Sequence, residues 1–291
     1  MWTSRKRDGR FIRRLVPAAD GERPLRSLAA ELSRFAKYAV EEATRLSVER
    51  VEIPLARLPK KLDGLKIVHL SDVHHSPLTD LEHISSAVRL ATSLEPDLVV
   101  FTGDFVSHQA KYIGPVAAVL GRLYSRFGSF ACLGNHDHWT DPEAVAASLE
   151  NNGIRVLINE GFRFTCEGGS FWFAGVDDYL AGRTDLEAAL RGSFPDEMKL
   201  LLAHNPVIFR KAVRRGVDLT LSGHTHGGQI RFTEYQSRFL PRRRFAAGLH
   251  SRGGSHIYVT RGIGTVVVPI RFQCPPEISL LILRRSEWRA F

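Results

Sequence analysis

The sequence predicts an α/β layered fold in one large domain, preceded by an amphipathic helix. Three observations carry this expectation. From Leu65 onward, apolar runs of strand length alternate with helical stretches. Five of those runs end in a polar cluster that holds Asp, His or Asn. The first sixty residues lack this rhythm and hold instead a single apolar pattern at steps of three and four.

The chain begins with a basic head containing Arg5, Lys6, Arg7, Arg10, Arg13 and Arg14. A secretory signal follows such charges with about 7–15 apolar residues. Here Leu15 to Ala19 gives way at once to Asp20-Gly21-Glu22-Arg23, so export is not expected. The expected location is cytoplasmic, with peripheral contact at the inner membrane as an alternative. Next, Leu25, Leu28, Leu32, Phe35 and Ala39 mark one helix face, with Pro24 suited to the first turn. Arg26, Glu31, Arg34, Lys37 and Glu41 fill the other positions. Packing of this helix on the main domain is the first expectation; a helix lying on a membrane surface is the second. The resulting division is a head and helix over 1–60 and a main domain over 61–291.

Leu65 to Leu70 reads as a strand ending in Ser71-Asp72-Val73-His74-His75, followed by a helix from about Asp80 to Leu94. Asp97 to Phe101 is a strand ending in Thr102-Gly103-Asp104. Ser129 to Leu133 runs into Gly134-Asn135-His136-Asp137. Phe171 to Gly175 is a further strand. Lys199 to Ala203 ends in His204-Asn205-Pro206, and Asp218 to Leu221 in Ser222-Gly223-His224-Thr225-His226. The carboxyl edge of an α/β sheet is where loops converge and sites form.

Composition narrows the class. The 291 residues are 44% hydrophobic, enough to bury a sizeable core, and carry a formal net charge of +9, which favours anionic partners without choosing among them. Cys132, Cys166 and Cys274 are scattered and without Cys-x-x-Cys spacing, which argues against a disulfide framework or a thiolate zinc site. No stretch approaches the roughly 18 apolar residues of a membrane span. No nucleic-acid-binding module is visible, and no specific nucleic-acid or protein partner is expected.

Singly, the polar residues at the strand ends mean little; a lone Asp before a helix is more often an N-cap. Together they form a mixed carboxylate, imidazole and amide set that suits Mn²⁺, Fe²⁺ or Zn²⁺ better than Ca²⁺. Asp72-x-His74 and His224-x-His226 each place two donors on one side of an extended segment.

In these five blocks and their order the sequence resembles the calcineurin-like metallophosphoesterases. Leu70 to His74, Gly223 to Gln229, Thr260 to Gly264, Pro269 to Phe272 and Pro276 to Ile278 further resemble the YaeI/YkuE-type branch of bacterial phosphodiesterases. The resemblance covers roughly residue 60 onward. It implies a four-layer αββα sandwich with a two-metal site at the carboxyl ends of the strands. It also implies that Asp72, His74 and His226 hold one divalent ion, that Asn135, His204 and His224 hold the other, and that Asp104 bridges them. A metal-bridging hydroxide would then attack phosphorus, with His136 as the general acid.

The second block of the family often carries a further acid; here Phe105-Val106-Ser107-His108 follows without a carboxylate, leaving the partner of His136 open. Asp137 is the local alternative, although adjacent residues usually point apart. Among the remaining histidines, His75 and His138 lie within two residues of a block, and His250 is a candidate to line the cleft. The segment Ile230 to Arg252 interleaves aromatics with Arg231, Arg238, Arg242, Arg243 and Arg244. Arg242, Arg243 and Arg244 are candidate contacts to an anionic substrate.

The implied activity is a phosphodiesterase or pyrophosphohydrolase acting on a phosphate-containing substrate. Hydrolysis of the lipid-linked UDP-2,3-diacylglucosamine, a step of lipid A synthesis, is one specific alternative. A non-catalytic scaffold is another, disfavoured because every ligand position is filled.

Overall fold

The computed structural model describes residues 25–230 and 245–286. Its first helix, Leu25–Thr44, is followed by strand β1, Ser47–Leu55. The strands that bear the blocks are β2 (Lys66–Leu70), β3 (Leu98–Thr102), β4 (Ser129–Cys132), β8 (Lys199–Leu202) and β9 (Leu219–Ser222). Between and after them lie β5 (Ile154–Val156), β6 (Glu160–Cys166), β7 (Gly169–Gly175), β10 (Gly248–Arg252), β11 (Ser255–Val259) and β12 (Glu277–Arg285).

These strands form two six-stranded sheets, ordered β1-β12-β2-β3-β4-β5 and β10-β11-β9-β8-β7-β6. In the first, β2 to β5 run parallel, as short apolar strands linked by helices must. Alternation along each strand sorts its side chains. Ile67 of β2, Val100 of β3 and Phe130 of β4 meet Phe173, Leu202 and Leu221 of the second sheet in a core between the sheets. Val68, Leu70, Val99 and Phe101 point the other way, onto the helices Leu81–Thr92, Ile113–Leu120 and Pro142–Asn151. On the far side, Trp172 and Leu201 pack on the helices Leu186–Leu190 and Phe209–Arg214. The layers are therefore helix, sheet, sheet, helix.

Two features of the N-terminal region were not legible locally. Ser47–Leu55, placed by sequence with the head and helix, is an edge strand of the first sheet, parallel to β12. Its partner lies more than two hundred residues away, so no short-range pattern announces it. The helix before it packs on the main domain through Ala39, Glu42 and Ala43, which are buried, and through Phe35, whose ring lies 4.8 Å from that of Phe272. The Glu42 carboxylate accepts backbone hydrogen bonds from Gln273 and Cys274, and the Arg271 N–H donates to the Ala39 carbonyl. Leu32, assigned by its spacing to the packed face, is instead 55% exposed. Among the described residues no helix is long and apolar enough to cross a membrane.

Candidate metal centre

The carboxyl ends of β2, β3 and β4 from one sheet, and of β8 and β9 from the other, meet along one edge of the sandwich. The turns there are tight. Asp72, Asp104, His74, His224 and His226 all have φ between 50° and 70°, in the left-handed region. Outside glycine that conformation is uncommon, and holding a residue in a sparsely populated backbone region costs of order 1–3 kcal/mol. Five such residues at one edge indicate that the surroundings dictate the backbone. Glycines give the room: a Cβ on Gly223 would stand 2.3 Å from Asp72 Oδ2, and one on Gly262 2.6 Å from Asp72 Cβ.

Seven predicted donors converge. His74 Nε2 and His226 Nε2 are 3.1 Å apart, and His226 Nε2 is 3.3 Å from Asp72 Oδ1. His204 Nε2 lies 3.2 Å from Asp104 Oδ2, and His224 Nδ1 lies 3.2 Å from His204 Nε2 and 3.0 Å from Asn135 Oδ1. Asp72, His74 and His226 form one compact group, and Asp104, His204 and His224 another. Asp104 also groups with His74 and His136, so its carboxylate touches both halves.

Burial makes this arrangement electrostatically incomplete. It pushes the His74 imidazolium down to about 3 and that of His226 well below its ordinary value, so both rings are neutral. Two neutral nitrogens at 3.1 Å can share only one proton. His224 is lowered to about 4, by burial and then by the nearby His204 charge. Burial also raises Asp72 to about 6. At His204 burial opposes the charge, but Asp104 outweighs it and raises the ring to about 10. At Asp104 burial is likewise opposed and outweighed by His204, which lowers the carboxyl. Lone pairs from imidazoles, carboxylates and an amide aimed at shared points fit divalent cations. Outer partners fix the rings: His204 Nδ1 donates to the Thr102 carbonyl at 2.6 Å, which turns Nε2 toward Asp104.

His136 lies in the first turn of the helix Asn135–Thr140 and sits beside the cluster, its ring 4.7 Å from that of His74. Its backbone N–H donates to Asp104 Oδ1 at 2.9 Å. Its Nδ1 is 2.9 Å from the Ser107 carbonyl oxygen, an acceptor only, so Nδ1 carries a proton and Nε2 is left for chemistry. A backbone carbonyl thus takes the place of the missing acid. Asp137 has another task. Its buried carboxylate accepts the N–H groups of Asp104 and Phe105 at 2.8 Å and of Gly134 at 2.9 Å, pinning the β3 turn to the β4 turn. Burial, then the Asp104 charge, raises Asp137 to about 7, against the pull of these donors. Asp137→Asn turns an amide toward donors and should destabilise the fold by about 1–3 kcal/mol. Urea denaturation reads this; an unchanged midpoint would remove Asp137 from that role.

Other residues fall into place without joining the cluster. His75 Nδ1 donates to the Thr79 carbonyl. His138 Nε2 pairs with Asp177 at 2.6 Å, a bond that raises the His138 ring. His250 bonds the Ala247 carbonyl and packs on Phe245. Arg242, Arg243 and Arg244 lie outside the described residues. Sequence reasoning gave no task to Thr260 to Gly264, yet the Ile263 and Gly264 N–H groups donate to the carbonyls of Ser71 and Asp72. The buried Arg271 guanidinium holds that segment through the carbonyls of Arg261, Gly262 and Gly264. The two glycines here were the available signal. All three cysteines are buried and none is in a disulfide; Cys274 Sγ donates to the His226 carbonyl at 3.2 Å.

Comparison with known proteins places this geometry in context. The family described as calcineurin-like phosphoesterase matches residues 65–228. YkuE of Bacillus subtilis, an uncharacterized metallophosphoesterase, is 34% identical over 258 residues, which make up 87% of this chain and 90% of YkuE. Phosphodiesterase YaeI of Escherichia coli is 36% identical over 226 residues, 75% of this chain and 82% of YaeI. A transmembrane protein with metallophosphoesterase domain from Bos taurus is 36% identical over 256 residues. That match covers 82% of this chain but 57% of the bovine protein, so the chain spans little more than half of that relative.

Proposed function

Because the chain belongs to the calcineurin-like phosphoesterases, hydrolases of phosphoester bonds, we propose that it cleaves a phosphodiester or pyrophosphate with two divalent cations held at the edge shared by its sheets. The observation that carries this reading is the Asp104 carboxylate, shared between two groups of buried donors with His136 alongside. Asp72, His74 and His226 would hold one cation, Asn135, His204 and His224 the other, and Asp104 both. When bound, such ions supply Lewis-acid charge for the phosphate oxygens and make water acidic enough to ionise near neutral pH.

The protein's own groups do the rest. Ser107 fixes the His136 ring, so that a protonated His136 can release the Nε2 proton to the departing oxygen. The neutral rings of His74 and His226 leave their half of the pocket without fixed positive charge that would repel a cation. Asp137 holds the turns that carry Asp104 and Asn135 in register.

The test is hydrolysis of bis-p-nitrophenyl phosphate by the full chain after chelation. Activity is expected to vanish in the stripped protein and to return with Mn²⁺, while circular dichroism stays unchanged. A stripped protein that hydrolyses as fast as the loaded one would sink the metal reading. No turnover with any added metal would favour the scaffold alternative. A lipid-linked substrate is the second reading: Val40, Leu78, Ile263 and Pro269 give apolar wall to a cavity that Thr44, Asp80, Glu82 and His83 also line. UDP-2,3-diacylglucosamine therefore belongs in the same screen, with UMP release as its readout.

A further inference from the structure

Two rings outside the donor cluster stand against His136. Trp139 follows it by three residues in the helix Asn135–Thr140, which puts both side chains on one helix face. Their rings lie 4.7 Å apart, inclined at 62°. The His108 ring reaches His136 from the loop after β3, at 4.9 Å and 46°. His74, against the same imidazole, is fully buried, whereas Trp139 is 58% exposed and His108 is exposed as well. A tryptophan supports a fold by burying its large ring, and this one leaves more than half of its surface in water.

The exposed ring is nonetheless held in place. His138, its neighbour in the chain, pairs with Asp177 at 2.6 Å and ties the helix to the loop after β7. Thr140 Oγ1 donates to the His136 carbonyl at 2.9 Å. A rigid aromatic face loses little freedom on binding a ligand. What it would meet follows from the proton. When His136 protonates the departing oxygen, the group on that oxygen lies against His136 and therefore beside both rings. Asp177 is not open to sugar hydroxyls, because its carboxylate already takes His138 and the N–H groups of Asp178 and Arg183. Trp139 and His108 offer ring faces, which suit a flat aromatic group better than a sugar or an alkyl chain.

We propose that Trp139, together with His108, forms a subsite for an aromatic ring of nucleobase type carried on the departing oxygen, and that Trp139 thereby selects among diesters. The subsite rests on the two-cation reading with His136 at the departing oxygen.

The experiment titrates the Mn²⁺-loaded full chain with adenosine 5′-monophosphate and with ribose 5-phosphate, by calorimetry. Both carry the same sugar and phosphate, and only the first carries a ring. Wild-type protein is expected to bind the nucleotide about tenfold or more tightly. Trp139→Ala should erase that preference while its Kd for ribose 5-phosphate stays unchanged, and Trp139→Phe should keep most of it. Metal content and thermal midpoint should match in all three proteins. Equal binding of the two ligands by the wild type, or a preference that survives in Trp139→Ala, would overturn the subsite, while Mn²⁺-dependent hydrolysis of bis-p-nitrophenyl phosphate would leave the two-cation reading standing. A wild type that neither hydrolyses that diester nor binds either ligand would overturn both.

Discussion

Asp104→Ala is expected to empty the metal centre and to lower turnover by at least about 10³-fold. One carboxylate here touches both halves of the donor set: Oδ2 lies 3.2 Å from His204 Nε2 and 3.5 Å from His74 Nε2. Its removal takes away a ligand from each position and the negative charge that keeps two cations close together. It also leaves His204 without the partner that raises its ring, and frees the His136 backbone N–H. Metal analysis of the purified variant should show less than one ion per chain. A variant that retains both ions and full turnover would show that Asp104 is not the shared ligand.

His136→Ala should behave differently, and the contrast is diagnostic. None of the seven donors is lost, so metal content should match that of the wild type. Losing a general acid costs about 10²–10⁴-fold in rate when the leaving oxygen needs a proton. A nitrophenolate leaves readily without one, so the loss should be small on nitrophenyl diesters and large on alkyl diesters. Comparing kcat on the two kinds of ester reads this directly. Equal losses on both would make His136 a positioning residue rather than a proton donor.

The candidate site was legible because its residues are grouped. Asp72 with His74, Asn135 with His136, and His224 with His226 each sit in a short block at the end of an apolar run, and strand geometry aims such blocks at one edge. The strands beneath them were visible for the same reason: Leu98–Thr102 and Lys199–Leu202 are short, fully buried and bounded by polar turns. What stayed hidden depends on pairing across the chain. Ser47–Leu55 alternates only from Val51 onward, with Pro54 inside it, and finds its ladder partner only in β12. The support given by Asp137 and Ser107 was also hidden. A carboxylate that binds backbone N–H groups, and a carbonyl that orients a ring, leave no mark in residue identity. The exposure of Leu32 shows the converse: spacing marks a face, but not how far along the helix the partner surface extends.

The placement of β12 has a consequence for the newborn chain. That strand lies between β1 and β2, so β1 has no neighbour in its sheet until residues 277–285 have left the ribosome. At about 5–20 residues per second, the wait from Ser47 to Glu277 is roughly 10–50 s. The Gly262 to Gly264 segment that closes over Asp72 arrives only shortly before. During elongation the early donors Asp72, His74 and Asp104 are already outside, but their pocket has neither its roof nor its second wall. On the two-cation reading, capture of ions is thereby deferred until residues 277–285 have closed the sheet.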